Sequence, residues 1–249
     1  MYRIDVLVQG FPGKAVCHGA LGWSTIALLR GEGRCILIDV GAFGVRKVLA
    51  QQLAAHGVKP EDVTDVILTH AHYDHAVNFT LFPRAAVWIG EEELRWAAAQ
   101  PPGFDPLPEL YVAALNQNPN VRRIKAGEEF LPGLHAMLAP GHTPGCLVFY
   151  LTANETPVIF TGDAAKNRAE LICGRVDMSE DEAASGRSIA AIWELWRKVP
   201  GTLVIPGHDL TLRLDDTGRP EYIGTRTAAI AAWFGEEIEQ VTRFELRCD

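Results

Sequence analysis

The chain has 249 residues, 48% of them apolar and 22% charged, which describes a folded globule with a sizeable core and excludes a disordered or fibrous protein. Its 31 acidic side chains outnumber its 23 basic ones for a formal net charge of −8, so a polyanion such as nucleic acid is not expected as the main partner.

In chain order, Met1–Asp5 lacks the basic, then apolar, then small-residue order of a secretion signal, and no apolar run approaches the length of a membrane span. A cytoplasmic protein with no membrane partner is expected. Tyr2–Val8, Ser24–Leu29 and Arg34–Ile38 read as strands, the last running into Asp39-Val40-Gly41, where Asp39 is placed to orient a histidine rather than to bind metal itself. Val45–His56 has apolar residues at spacings of three and four and is followed by Gly57, a helix stop.

The strand-like run Val63–Leu68 leads into Thr69-His70-Ala71-His72-Tyr73-Asp74-His75. Side chains alternate along an extended backbone, so His70 and His72 face the same way and can grip one cation. The following turn redirects Asp74 and His75 toward a second point. Three imidazoles and a carboxylate this close are best satisfied by a divalent metal. A short helix from Asp74 into Phe79, a strand over Ala86–Ile89 and a helix over Glu91–Ala99 follow.

Gln100–Pro119 breaks the pattern with five prolines among Phe104, Leu107, Leu110 and Tyr111; it is expected to form a lid or wall of the pocket, or an interface with a second copy of the chain. Three further strand-like runs each end in a ligand-type residue behind a glycine: Leu134–Ala139 before Gly141-His142, Val158–Phe160 before Gly162-Asp163, and Leu203–Ile205 before Gly207-His208. Five of the eight histidines fall in this pattern, with His18, His56 and His135 outside it. Lys166 and Arg168, just past Asp163, could pair with a carboxylate or polarise a carbonyl on a substrate. Ser188–Lys198 and Pro220–Ile238 read as helices, the first with core tryptophans Trp193 and Trp196. The five cysteines show no CxxC spacing, and reduced thiols are expected. Because the ligand-type residues stretch from His70 to His208 and must meet, residues 1–249 are read as one domain, with strand sets and helices alternating twice, as in two sheets packed face to face with helices outside.

The His70–His75 block, with later ligands at spaced strand ends, resembles the metallo-β-lactamase fold superfamily of metal hydrolases, over a span from the first strand to His208. The resemblance implies a four-layered αββα sandwich of two mixed sheets. It implies one metal on His70, His72 and His142, a second on Asp74, His75 and His208, and Asp163 bridging them. Asp163 with the additional His75, where zinc β-lactamases of the commonest type place a cysteine, is similar instead to the glyoxalase II and acyl-homoserine lactonase branch. His72 stands where flavin-linked diiron relatives carry glutamate. The segment Ala164–Arg168 lacks the tyrosine that the best-known lactonases carry after the bridging aspartate. Val6–Gly10, Gly57–Val63 and Asn78–Pro83 resemble metallo-β-lactamase domain-containing protein 1, an animal relative assigned to RNA cleavage.

The implied activity is that of a dinuclear hydrolase acting on a small ester, lactone or thioester. Two ions about 3.5 to 4 Å apart share a water, lower its pKa from about 15.7 toward ~7, and bridge the resulting hydroxide. Asp74 would carry the released proton to the leaving group. Zinc fits the imidazole-rich set best, and iron or manganese also accept it. The alternatives are a phosphodiesterase or ribonuclease of the same fold and a non-catalytic metal-binding protein.

Overall fold

The computed structural model describes residues 1–17 and 21–246, so His18 and Cys248 lie outside the described residues. The strands are β1 (Tyr2–Val8), β2 (Ile26–Gly31), β3 (Arg34–Ile38), β4 (Asp65–Ile67), β5 (Ala86–Gly90), β6 (Val121–Ile124), β7 (Glu129–Leu131), β8 (Leu134–Leu138), β9 (Leu147–Leu151), β10 (Val158–Gly162), β11 (Leu203–Pro206), β12 (Leu212–Leu214), β13 (Pro220–Tyr222), β14 (Ala229–Trp233) and β15 (Val241–Glu245). The helices are α1 (Arg46–Ala55), α2 (Tyr73–Ala76), α3 (Glu91–Ala98), α4 (Glu109–Gln117), α5 (Arg168–Cys173) and α6 (Glu182–Lys198).

Strands β1 to β6 form one sheet in chain order, antiparallel from β1 to β3 and parallel from β3 to β6. The second sheet runs β13-β12-β11-β10-β9-β8-β7 and is antiparallel except where β10 meets β11. Both sheets are therefore mixed. The period-two alternation of the strands divides their side chains between three cores. Ala27, Leu29, Ile36 and Ile38 face Leu134, Phe149, Phe160 and Ile205 across the gap between the sheets. Leu28, Leu37, Val66 and Val87 point the other way, against Leu49 and Leu53 of α1, Leu94 of α3 and Leu115 of α4. On the far side Val148, Ile159 and Val204 pack on Leu171 of α5 and Ile189, Ile192 and Trp196 of α6. Three apolar layers between four layers of elements make the expected αββα sandwich.

The elements differ from the sequence expectation in four places. Pro220–Ile238 is no helix: β13 pairs with β12, Gly224 takes a left-handed φ of 90°, and the alanine-rich run 229–233 pairs with β15 in a separate two-stranded ribbon. Tertiary pairing here overrides the helix propensity of alanine. Past Asp163, where no element was expected around Lys166 and Arg168, the chain forms α5, capped by Asn167, whose side chain accepts from the Glu170 amide. Within Gln100–Pro119, α4 buries Val112 and Leu115. Helix α6 begins six residues before the expected Ser188, capped by Asp181; Ser185 and Gly186 hid this start because they are poor helix formers, yet buried Ser188 donates to Pro140 O at 2.7 Å.

Candidate metal centre

All of the sequence-predicted ligands lie along one edge of the sandwich, at the C-terminal ends of β4, β8, β10 and β11. The geometry follows from close backbone approach at this seam. A Cβ on Gly162 would overlap the Thr69 side chain of the first sheet, and one on Gly207 would overlap Asp163 Oδ1 on the neighbouring strand, so glycine at 162 lets the two sheets approach here and glycine at 207 leaves room for the Asp163 carboxylate. Thr25, at the start of β2, ties the first sheet to the second by donating its amide to Gly207 O at 2.6 Å and its hydroxyl to Pro206 O at 2.7 Å.

His70, His72 and His142 present ring nitrogens within 4.8 Å of one another, as do the ligand atoms of His70, His75 and Asp163 and those of Asp74, His75 and His208. Asp163 stands between the groups. Its Oδ1 lies 3.1 Å from His75 Nε2 and 3.2 Å from His208 Nε2, and its Oδ2 lies 3.3 Å from His142 Nε2. Asp74 Oδ2 lies 3.2 Å from His208 Nε2. All seven side chains are buried except Asp74, which is half-buried and faces the cavity.

Outer hydrogen bonds fix which nitrogen each ring turns inward. Asp39 Oδ2 takes the His75 Nδ1 proton at 2.8 Å, Met178 O takes that of His142 Nδ1 at 2.8 Å, and Thr69 Oγ1 lies 3.1 Å from His70 Nδ1. The Thr69 hydroxyl itself donates to Asp39 Oδ2 at 2.8 Å, so its oxygen is left to accept from His70. In each ring Nε2 is left facing the site, as a metal ligand requires. His70 Nε2 and Asp163 Oδ1 are buried and have no hydrogen-bond partner despite the nearby nitrogens. Buried lone pairs converging without donors fit a cation.

Charge is unevenly distributed over the cluster. Burial, reinforced by neighbouring histidines, holds His70 well below the usual histidine value; burial and His142 lower His72 to about 3, and burial lowers His142 to about 4 with Lys166 adding to the effect. Burial also opposes charge on His208, but Asp163 and Asp74 outweigh it and raise His208 to about 9. His75 is raised likewise by Asp163, Asp74 and Asp39. Burial disfavours ionised Asp74, yet His75 and His208 lower it to about 2. The first group is thus a set of neutral donors, and the second already balances carboxylates against positive charge.

Glu93 is a partner that the sequence reading missed. Fully buried on α3, it accepts the Ala71 amide at 2.8 Å and the Thr143 hydroxyl at 2.7 Å, and so clamps the His70–His72 loop to the His142 loop. Burial raises it to about 7 despite these bonds. The available signal was its position four residues before buried Ala97, on the apolar face of α3.

The centre opens into a cavity of about 690 Å³. Tyr73, Asp105 and Pro106 form one wall, which brings part of the Gln100–Pro119 segment to the pocket. Lys14, Lys166, Glu170 and Asp177 also line it, with Lys166 Nζ 3.2 Å from Glu170 Oε1 and Lys14 paired to Asp177. Arg168 lies elsewhere: its Nε donates to Pro220 O at 2.7 Å. Cys35, Cys146 and Cys173 are free thiols, as is Cys17.

A family model for the metallo-beta-lactamase superfamily matches residues 22–208. The chain belongs to the metallo-β-lactamase superfamily. It is 31% identical to human metallo-beta-lactamase domain-containing protein 1 over 206 residues, covering 82% of this chain and 69% of that protein. An N-acyl homoserine lactonase of a Bacillus species is 28% identical over 168 residues, 67% of this chain and 64% of the lactonase. The solved structure of AidC, a dizinc quorum-quenching lactonase bound to its product, superposes with a TM-score of 0.68 at 18% identity, over 82% of this chain and 80% of AidC. An AiiA variant of B. thuringiensis with N-decanoyl-L-homoserine at its active site gives 0.67 at 19% identity, over 84% and 92%. These superpositions establish the fold, and the homologues and neighbours of this superfamily member include metal-dependent hydrolases.

Proposed function

We propose that residues 1–249 form a single-domain dinuclear hydrolase acting on a small ester, lactone or thioester. His70, His72 and His142 would hold one divalent cation, Asp74, His75 and His208 the second, and Asp163 would contact both. The observation that carries this reading is the convergence of inward-turned imidazole nitrogens on the unpartnered His70 Nε2 and Asp163 Oδ1. An imidazole-rich set favours zinc.

Bound cations would supply a Lewis acid for the substrate carbonyl and acidify a water. The chain's own residues do the rest. Asp39, Thr69 and the Met178 carbonyl keep His75, His70 and His142 in one tautomer and orientation. Asp74, ionised and open to the cavity, takes the proton that the attacking water gives up at Oδ2 and returns it to the leaving alkoxide or thiolate. Tyr73 and Pro106 wall the substrate from solvent on one side. The acidic cavity residues Asp105, Glu170 and Asp177 outnumber Lys14 and Lys166, which favours a carbonyl substrate over a phosphodiester. Free thiols support a cytoplasmic setting.

The test is a panel of esters, thioesters, lactones and phosphodiesters run on metal-analysed protein. We expect about two metals per chain and turnover of a carbonyl substrate that is lost on chelation and regained with zinc. Full activity after thorough metal removal overturns the proposal. Turnover confined to phosphodiesters would make the chain a nuclease, and metals without any turnover would make it a binding protein.

A further inference from the structure

The β14–β15 ribbon stands apart from both large sheets, pairing only within itself. Every residue of β15 is exposed, and so are Ala231 at the centre of β14 and its neighbour Ile230. The ribbon and its turn carry large apolar groups in the open: Trp233 is 58% exposed, Phe234 75%, Ile238 78% and Phe244 47%. A two-stranded antiparallel ribbon with both faces wet is marginal by itself, and an apolar one with free edges is a template for further pairing. The ribbon also lies beyond residues 22–208, the span shared with the superfamily, and no side chain of the metal centre belongs to it.

What it fits is itself. Arg243 and Glu245 sit on one face of β15, two residues apart, with Phe244 between them on the other face. Within the strand Arg243 Nε already donates to Glu245 Oε1 at 2.6 Å; if two β15 strands pair antiparallel about Phe244, each Arg243 also falls directly opposite the partner's Glu245, so the two in-strand pairs join into one alternating four-charge cluster by symmetry. The same register brings Phe244 opposite the partner's Phe244. Ile230 pairs with Phe244 within each ribbon, so an unbroken apolar row crosses the joined sheet. Four strands with a continuous apolar face reach the size at which such a sheet becomes stable, which two do not.

We propose that this chain forms a two-fold dimer by edge-to-edge antiparallel pairing of β15 with β15 of a second copy, centred on Phe244. The arrangement is isologous and closes on itself, with no filament. It makes the ribbon, rather than Gln100–Pro119, the contact between copies; in that segment Leu107, Val112 and Leu115 are already buried within one chain.

The test is a charge swap on the full-length protein, read by light scattering on a sizing column and by sedimentation across a concentration series. The unaltered chain should be dimeric. Arg243→Glu and Glu245→Arg should each weaken the dimer about tenfold or more, because each puts like charges opposite one another twice. The double variant, which restores opposite charges in reversed order, should regain the dimer. Circular dichroism and melting should match across all four proteins, since the altered side chains are on the surface. A monomer at tens of micromolar, a dimer indifferent to both single changes, or a double variant that stays weakened would each overturn the proposal.

Discussion

The two sheets contribute to the metal centre in opposite ways. The first gives His70, His72, Asp74 and His75 from one contiguous stretch after β4, held locally by Asp39, Thr69 and Glu93. The second gives His142, Asp163 and His208 one at a time from three strand ends, each depending on a glycine for its position. A contiguous block is preorganised by its own loop, whereas a dispersed set is only as good as the packing of the sheets. The first half should therefore tolerate damage to the sandwich better than the second, and Asp163, which meets histidines of both, should tolerate none.

The largest effect is expected at that junction. Asp163→Ala should abolish stoichiometric metal binding at both positions, measured by elemental analysis, with a loss of kcat/KM beyond the about 10- to 100-fold that outer partners cost. Retention of one full equivalent of metal with near-normal activity would show that the halves act independently.

Glu93→Gln separates local clamping from ligation. It keeps the shape but turns one of the two carboxylate oxygens, Oε1 serving the Ala71 amide or Oε2 serving the Thr143 hydroxyl, into an NH2 donor, so metal affinity should fall by about 10- to 100-fold while the fold persists. The Glu93→Ala variant, which leaves both donors buried without a partner, should also lose about 1–3 kcal/mol of stability in denaturant. If neither changes affinity, the two loops hold their places without the clamp.

The smallest effect is a pH profile of the metal-free protein. His72 and His142, held at about 3 and 4 against an ordinary 6.5, lose stability as pH falls below 6.5, because only the unfolded chain takes up those protons. His208, raised to about 9, contributes fully below 6.5 and loses that contribution as pH climbs toward 9. Melting temperature without metal should thus peak near pH 6.5, the acid limb belonging to the His72 group and the alkaline limb to the His208 group. Saturating metal should flatten both limbs. A monotonic profile in the metal-free protein would remove the contrast between the groups.

Much of this centre was legible in the sequence because ligand chemistry is concentrated in few residue types and strand ends are marked by apolar runs and glycines. His142, Asp163 and His208 stood out by that pattern alone, and the structure brings them beside His70–His75. Glu93 was hidden in the run Glu91-Glu92-Glu93, where two of three acids are solvated and only the helix face distinguishes the third. The terminal ribbon was misread because the alanines of 228–232 favour a helix locally, and the pairing that overrides them is made with residues about ten positions further on. Local preference carries no record of a partner strand.

The Thr25–Gly207 seam has a mechanical consequence. With amide and hydroxyl both spent on the second sheet, Thr25 pins the two sheets beside the metal centre, and Asn154 ties them again at the other end of β1 through both backbone groups of Tyr2, so slow breathing of the two leaves is expected to be smallest at these two ties. Amides at Thr25, Thr69 and Gly207 should be among the last to exchange with heavy water, and the reacting end of the molecule should be among its stiffest parts.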